Sequence, residues 1–298
     1  RAIISGLNST GVNVRDLTMA PLAVNRFDIK SGNAVGGIHV RMSLENPEQT
    51  EILFSEAPGV PIDNKRERAI ENNYFREDYR RADFEEMGQV VYPPRVIETY
   101  TNALLENWNT VAIRGRQPRL VLDYSSSAPG FFFSSTLDSL GVETVSLNTF
   151  SRARERFTLA QSLPPAAARV GELVRAMEAD LGAILDPGAE YLYIVDEKGD
   201  LVSDSALLLL LLQNAARQAG SGAAALPLHA TRLGESVVAS TGVSIRRTRC
   251  SKAALMAEAA RPSTIFAAST DGGYIYPSVL ACMDGLYALG KVLELVSL

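Results

Sequence analysis

The stretch that most constrains the fold is residues 180–199, DLGAILDPGAEYLYIVDEKG. Residues 181–185 have the length and apolar run of a buried strand, and 191–195 read as a second. Between them Pro187 cannot donate to a ladder and Gly188 relaxes the backbone, so one strand must end and the other restart there. A further turn closes at Lys198-Gly199. One carboxylate stands on each side of the first turn, Asp186 and Glu190.

The rest of the chain alternates in the same way. Helix 96–108, strand 120–123, a small-residue turn at 125–130, helix 131–140, strand 142–147, a loop at 152–165 and helix 166–178 lead into it. After it come a Leu-rich helix that Ser203 can cap, then strand 224–228, helix 231–240 and strand 243–248. Helix 252–260, strands 264–268 and 274–276 and helix 284–296 follow. That rhythm implies parallel β-α-β units. Residues 1–92 read as part of one more α/β unit, with strands at 12–17, 38–42 and 51–54. The charged segment 64–81 is a helix with a solvated face, carrying Ile70, Tyr74 and Phe75 on one side. The expectation is three units, 1–92, 93–202 and 203–298, repeating one supersecondary plan at a period too long for a solenoid.

Composition excludes several classes. With 46% apolar residues, 21% charged and a net charge of −5, the chain has enough apolar content for a core and lacks the basic stripe of a nucleic-acid binder. Cys250 and Cys282 are too far apart for a CxxC site and too few for a disulfide scaffold, which points to a reducing compartment, the cytoplasm. Two histidines, His39 and His229, leave little for a His-rich zinc site. The longest apolar run, residues 206–212, is seven residues against the roughly 20 that span a bilayer, so no membrane is expected. The opening RAIISGL reads as the tail of a helix already under way and not as a signal peptide. The turn SSSAPG at 125–130 could cradle a phosphate at a helix start. It lacks the GK[ST] ending of a Walker loop, and its commoner role is a tight α/β connection.

The strand-turn-strand at 181–195, followed by Val195-Asp196-Glu197-Lys198-Gly199, resembles the metal loop of the α-D-phosphohexomutases. In that family the loop reads DGDxDR. Alternate positions of an extended segment point the same way, so three carboxylates there converge on one hard cation. Asp186 stands at the first position, Gly188 at the second, Glu190 at the third, and Tyr191 at the arginine. Gly36-Gly37-Ile38-His39-Val40-Arg41-Met42-Ser43-Leu44-Glu45-Asn46-Pro47 is similar to the family's GGIxI strand and TASHNP loop, with Ser43 on the phosphoserine position. Ser269-Thr270-Asp271-Gly272-Gly273-Tyr274 matches the sugar-gripping GExSGH, with Asp271 and Gly273 surviving.

The resemblance implies tandem α/β/α three-layer domains, the first incomplete and the fourth, phosphate-binding one absent. It also implies one of two functions. The first is a phosphomannomutase-like module of nucleotide-sugar metabolism with an eroded active site. Such a module is similar to the mutase-like region beside the nucleotidyltransferase domain of bacterial mannose-1-phosphate guanylyltransferases. It would bind a hexose phosphate or a protein partner, would form part of an oligomer, and would need no cofactor. The second is a divergent mutase acting through Ser43 with Mg²⁺. Three expectations follow for the residues: Ser43 is a loop hydroxyl bonded to nearby backbone, Asp186 and Glu190 are turn caps or solvated charges, and the turn has lost its cation with Tyr191.

Overall fold

The computed structural model describes residues 1–46, 48–77, 79–150 and 158–298. Its first part holds α1 (Ala2–Ser9), β1 (Val14–Arg15), α2 (Leu22–Lys30), β2 (Gly36–Met42), β3 (Thr50–Glu56), β4 (Val60–Pro61), α3 (Asn64–Arg76) and β5 (Val90–Val91). β2, β3 and β4 pair antiparallel, while β1 pairs parallel with β5. The strand expected at 12–17 shrinks to two residues, since only Val14 and Arg15 meet a partner strand. α3 starts where the Asp63 carboxylate accepts the Arg66 amide, and it ends at Glu77, whose φ of 52° is left-handed. None of its residues is buried, as the solvated-face reading requires.

The second part holds α4 (Val96–Asn107), α5 (Thr110–Arg116), β6 (Arg119–Asp123), α6 (Phe133–Ser139), β7 (Glu143–Leu147), α7 (Leu159–Met177), β8 (Leu181–Leu185) and β9 (Leu192–Val195). Its sheet runs β7-β6-β8-β9, the first three strands parallel and β9 antiparallel. β8 is buried along its whole length, and so is β6 after Arg119. Strands covered on both faces carry continuous apolar runs of this kind.

One sequence reading is corrected here and the preferred form of another is found. The loop expected at 152–165 is helical from Leu159, and its residues 152–157 lie outside the described part. Thr158 and Gln161 close a capping box at the start of α7, which continues through Pro164 and Pro165. Buried Ala166, Val170 and Val174 hold its inner face on the sheet, and that packing outweighs the helix-breaking tendency of the prolines. The turn at 125–130 is a tight connection. Its amides bond inward, Ser125 to the Asp123 carboxylate, Ser126 to the Asn148 carbonyl and Ser127 to the Tyr124 carbonyl.

The third part repeats the plan with α8 (Asp204–Ala219), β10 (Ser221–Pro227), α9 (Leu233–Val238), β11 (Gly242–Thr248), α10 (Lys252–Ala259), β12 (Thr264–Ala268), β13 (Tyr274–Ile275) and α11 (Gly285–Val296). Its sheet order, β11-β10-β12-β13, has three parallel strands and one antiparallel in the same succession. The Ser203 hydroxyl caps α8 at the Ala206 amide. Leu207, Leu208, Leu211 and Leu212 of α8 are buried while Leu210 is exposed, the stripe of a helix laid on a core. Among the described residues no helix is long and apolar enough to cross a membrane.

α11 is buried from Gly285 to Glu294 and joins the second and third parts. Asp284 caps it through the Leu286 and Tyr287 amides and also accepts the Tyr100 hydroxyl at 2.7 Å. Buried Lys291 and Glu294 pair at 2.9 Å. Lys291 donates to the Asn107 carbonyl, and Glu294 accepts the Asn109 amide, so the pair also clamps the α4–α5 junction. Trp108 lies so close to Gly290 that no side chain fits between them. The resulting core is one contiguous cluster reaching from Ala23 to Leu293.

Candidate functional site

Three loops meet where the parts of the chain join. The first is the β8–β9 turn. Asp186, fully buried, caps it: one oxygen accepts the Glu190 and Tyr191 amides at 2.7 Å and the other accepts the Gly188 amide at 2.8 Å. Burial, and then the negative charge of Glu190, push the Asp186 carboxyl up to about 6 against these three donors. Ala189 takes the left-handed conformation that finishes the turn, and its carbonyl accepts the Gly285 amide at 3.0 Å. Tyr191 bridges to Gly273, so the turn leans on the loop between β12 and β13.

The expectation for Asp186 as a turn cap agrees with this geometry, but the one for Glu190 does not. Glu190 is 5% exposed and is neither a cap nor a solvated charge. Its carboxylate holds the Arg41 guanidinium, which reaches over from β2 and also binds Glu51 at 2.9 Å. A buried carboxylate needs a partner, and this one takes it from another sheet. The turn has therefore kept a cation although its own arginine position is Tyr191. The Tyr191 hydroxyl is buried with no hydrogen-bond partner, and the Lys252 ammonium sits 5.0 Å above the ring.

The β2–β3 connection is the second loop. Ser43 is 8% exposed; its amide donates to the Gln49 carbonyl at 2.9 Å, and its oxygen accepts the Glu45 and Asn46 amides at 3.3 Å. This is a backbone-bonded loop hydroxyl, as expected. Pro47 lies outside the described residues. Burial pushes the neighbouring Glu51 carboxyl up, but the Ser43 hydroxyl and the Arg41 guanidinium outweigh it and hold the group below the usual carboxylate range. On the same strand His39 is held below its ordinary value, first by burial and then by Arg41.

The third loop carries Asp271 and Gly273. Gly273 closes a tight hairpin with Ser269, its amide donating to the Ser269 hydroxyl at 3.0 Å and its carbonyl accepting the Ser269 amide at 2.8 Å. Asp271 is exposed and its carbonyl accepts the Tyr193 hydroxyl at 2.9 Å. Nearby, His229 bridges Cys250 at 3.0 Å and Thr270 at 2.6 Å. Those three residues follow β10, β11 and β12, at the strand ends where open α/β sheets bind ligands.

The structure thus brings the Asp186–Glu190 turn against the Asp271–Gly273 loop directly, and against the Ser43 loop through Arg41 and Glu51. Sequence reasoning missed Arg41, Glu51 and Lys252. One signal could have found Arg41: two carboxylates kept in a turn between apolar strands, with the turn's own arginine replaced, require a cation from elsewhere.

Comparison with known proteins agrees with the architecture. Residues 1–81 match the family model of phosphoglucomutase/phosphomannomutase, alpha/beta/alpha domain I, and residues 98–199 match that of domain II. A phosphoglucomutase/phosphomannomutase of Thermococcus kodakarensis is 27% identical over 296 residues, 99% of this chain and 64% of the relative. A probable phosphoglucosamine mutase of the same organism is 29% identical over 303 residues, with the same two coverages, 99% and 64%. The chain therefore spans a little under two thirds of the length of these relatives. In the solved structures, a phosphoglucomutase/phosphomannomutase family protein from Burkholderia thailandensis superposes with a TM-score of 0.87 at 18% identity, covering 99% of this chain and 65% of that one. Aspergillus fumigatus N-acetylphosphoglucosamine mutase, solved with GlcNAc-6P and magnesium, gives 0.56 at 12% identity, covering 99% and 75%.

Proposed function

Because the chain belongs to the phosphohexomutase family of phosphoglucomutases and phosphomannomutases, we propose that it is a hexose-phosphate-binding module in which the transfer chemistry has been lost. The setting of Ser43 carries this reading. Its oxygen receives two backbone amides, and Glu45 and Glu51 flank it. A phosphoryl group there would add close to −2 charge at pH 7 beside those carboxylates. Two cations act on the adjoining Glu51: Arg41, which is already bonded to both Glu51 and Glu190, and Lys252, which lies over the Tyr191 ring. Phosphoryl transfer rests on positioning and charge neutralisation, so a serine in this setting is a poor carrier.

The ligand class comes from the relatives, whose names point to phosphorylated hexoses and hexosamines. The wider role proposed is a structural or regulatory part of a guanylyltransferase-type protein of nucleotide-sugar biosynthesis, adjoining a nucleotidyltransferase domain and assembled as an oligomer in the cytoplasm. A second reading, a divergent mutase acting through Ser43, draws on the presence of Arg41 and Lys252 at the same site.

Intact mass after incubation with a hexose 1,6-bisphosphate separates the two, with hexose 6-phosphate calorimetry alongside. The module reading expects binding heat and no adduct on the wild type or on Ser43→Ala. A stoichiometric phosphoryl adduct on the wild type that Ser43→Ala abolishes would establish the mutase instead.

A further inference from the structure

We infer that the Arg41 guanidinium stands in this chain where the fold family's loop holds a divalent cation, making the β8–β9 turn independent of metal. The inference rests on family membership but not on the state of Ser43, and its test reads metal binding directly.

A hard dication requires several oxygens fixed around it. Here the side chains that could supply them are already engaged. Both Asp186 oxygens accept backbone amides, at 2.7 and 2.8 Å, and the Glu190 carboxylate is bonded to Arg41. The middle ligand position is Gly188. A Cβ built there would lie 2.8 Å from Arg41 Nη1, 2.9 Å from Asp186 Oδ2 and 3.2 Å from Glu190 Oε2. The point from which a third carboxylate would extend is therefore bounded by the two acids and the guanidinium together. Among the described residues no group of three or more His, Cys, Asp or Glu is placed to hold a metal.

The residues present thus do not fit a metal, and they do fit a fixed organic cation. The guanidinium stays protonated at any physiological pH. Its planar fork binds Glu190 on one edge and Glu51 on the other. Because Arg41 comes from β2, the same contact ties the β2–β3 sheet to the turn.

The test uses Mn²⁺ alone, followed by electron paramagnetic resonance and calorimetry. Five proteins are compared: wild type, Arg41→Ala, Gly188→Asp, the double variant of these two, and Asp186→Asn. Gly188 has no left-handed φ, so an aspartate there requires only that the Arg41 guanidinium and the Asp186 carboxylate each give way. The wild type should take up no Mn²⁺ to about millimolar, and the double variant should bind at least roughly ten-fold tighter than the wild type. Gly188→Asp alone should stay weak, because its new carboxylate would pair with Arg41. Wild-type binding tighter than about millimolar that Asp186→Asn removes would overturn the inference. So would Gly188→Asp binding as tightly as the double variant, or a double variant as silent as the wild type.

Discussion

Removing the Arg41 side-chain charge should reveal how much of the site's integrity depends on one long-range pair. The side chains of Arg41 and Glu190 are 15% and 7% exposed, so Arg41→Met leaves Glu190 buried without a cation while keeping most of the apolar stem in place. Breaking one side of a buried pair costs roughly 3–5 kcal/mol. Arg41 keeps a small path to water, which puts the expected loss near the lower end, about 3 kcal/mol. Loss of the Glu51 contact adds little, because that side chain is 31% exposed and can be solvated. Glu190→Gln should cost less, since Arg41 retains Glu51. The double variant removes both charges, and its cost should fall short of the sum of the singles by about 1–3 kcal/mol, the usual coupling of residues in one network. Urea unfolding followed by circular dichroism, with the slope checked for constancy across the four proteins, measures all of these quantities. An Arg41→Met cost below about 1 kcal/mol, or strict additivity in the double variant, would refute the argument that this pair is a buried dependency.

Two further outcomes follow from the core. Gly290→Ala would set a methyl carbon 1.8 Å from Trp108 Cε2, and Trp108 is itself only 5% exposed. The expected cost is about 3 kcal/mol or more, read as a lowered urea midpoint and partly recovered by Trp108→Leu in the same chain. The α11 cap supplies a pH dependence. Burial pushes the Asp284 carboxyl up from 3.8 to about 6, so the folded state favours its protonated form. That contribution is fully present below the unfolded value near 4 and is lost as pH rises through about 6, a change on the order of 3 kcal/mol. Asp284→Asn should gain on the wild type between pH 4.5 and 7; an unchanged difference at the two pH values would contradict this.

Most of the fold was legible because its signals are local. β8 is apolar at every position and ends at a proline-glycine turn, so its bounds could be read directly. Ser203 before the leucine run announced the start of α8, and Asp284 that of α11. The α7 start was not legible in the same way. Pro164 and Pro165 suggested a break, whereas the deciding contacts are the burial of Ala166, Val170 and Val174 against a sheet whose strands lie elsewhere in the chain. Propensity is a weak prior once a helix has a face to bury.

The site was less legible for a related reason, and β2 shows it. Along this strand and into the residue after it, Ile38, Val40 and Met42 alternate with His39, Arg41 and Ser43. Period-two patterning would turn the apolar set inward. From Val40 onward the structure does the opposite: Val40 and Met42 are 51% and 55% exposed, while Ser43 is buried and the Arg41 side chain is 15% exposed. What inverts the strand is a carboxylate 149 residues later in the chain, Glu190, which no window of local sequence contains. Charge balance supplies the missing link. A turn that keeps Asp186 and Glu190 buried and replaces its own arginine with Tyr191 must import a cation. A strand whose polar residues fall on alternate positions with no solvent reason is where that cation is to be sought.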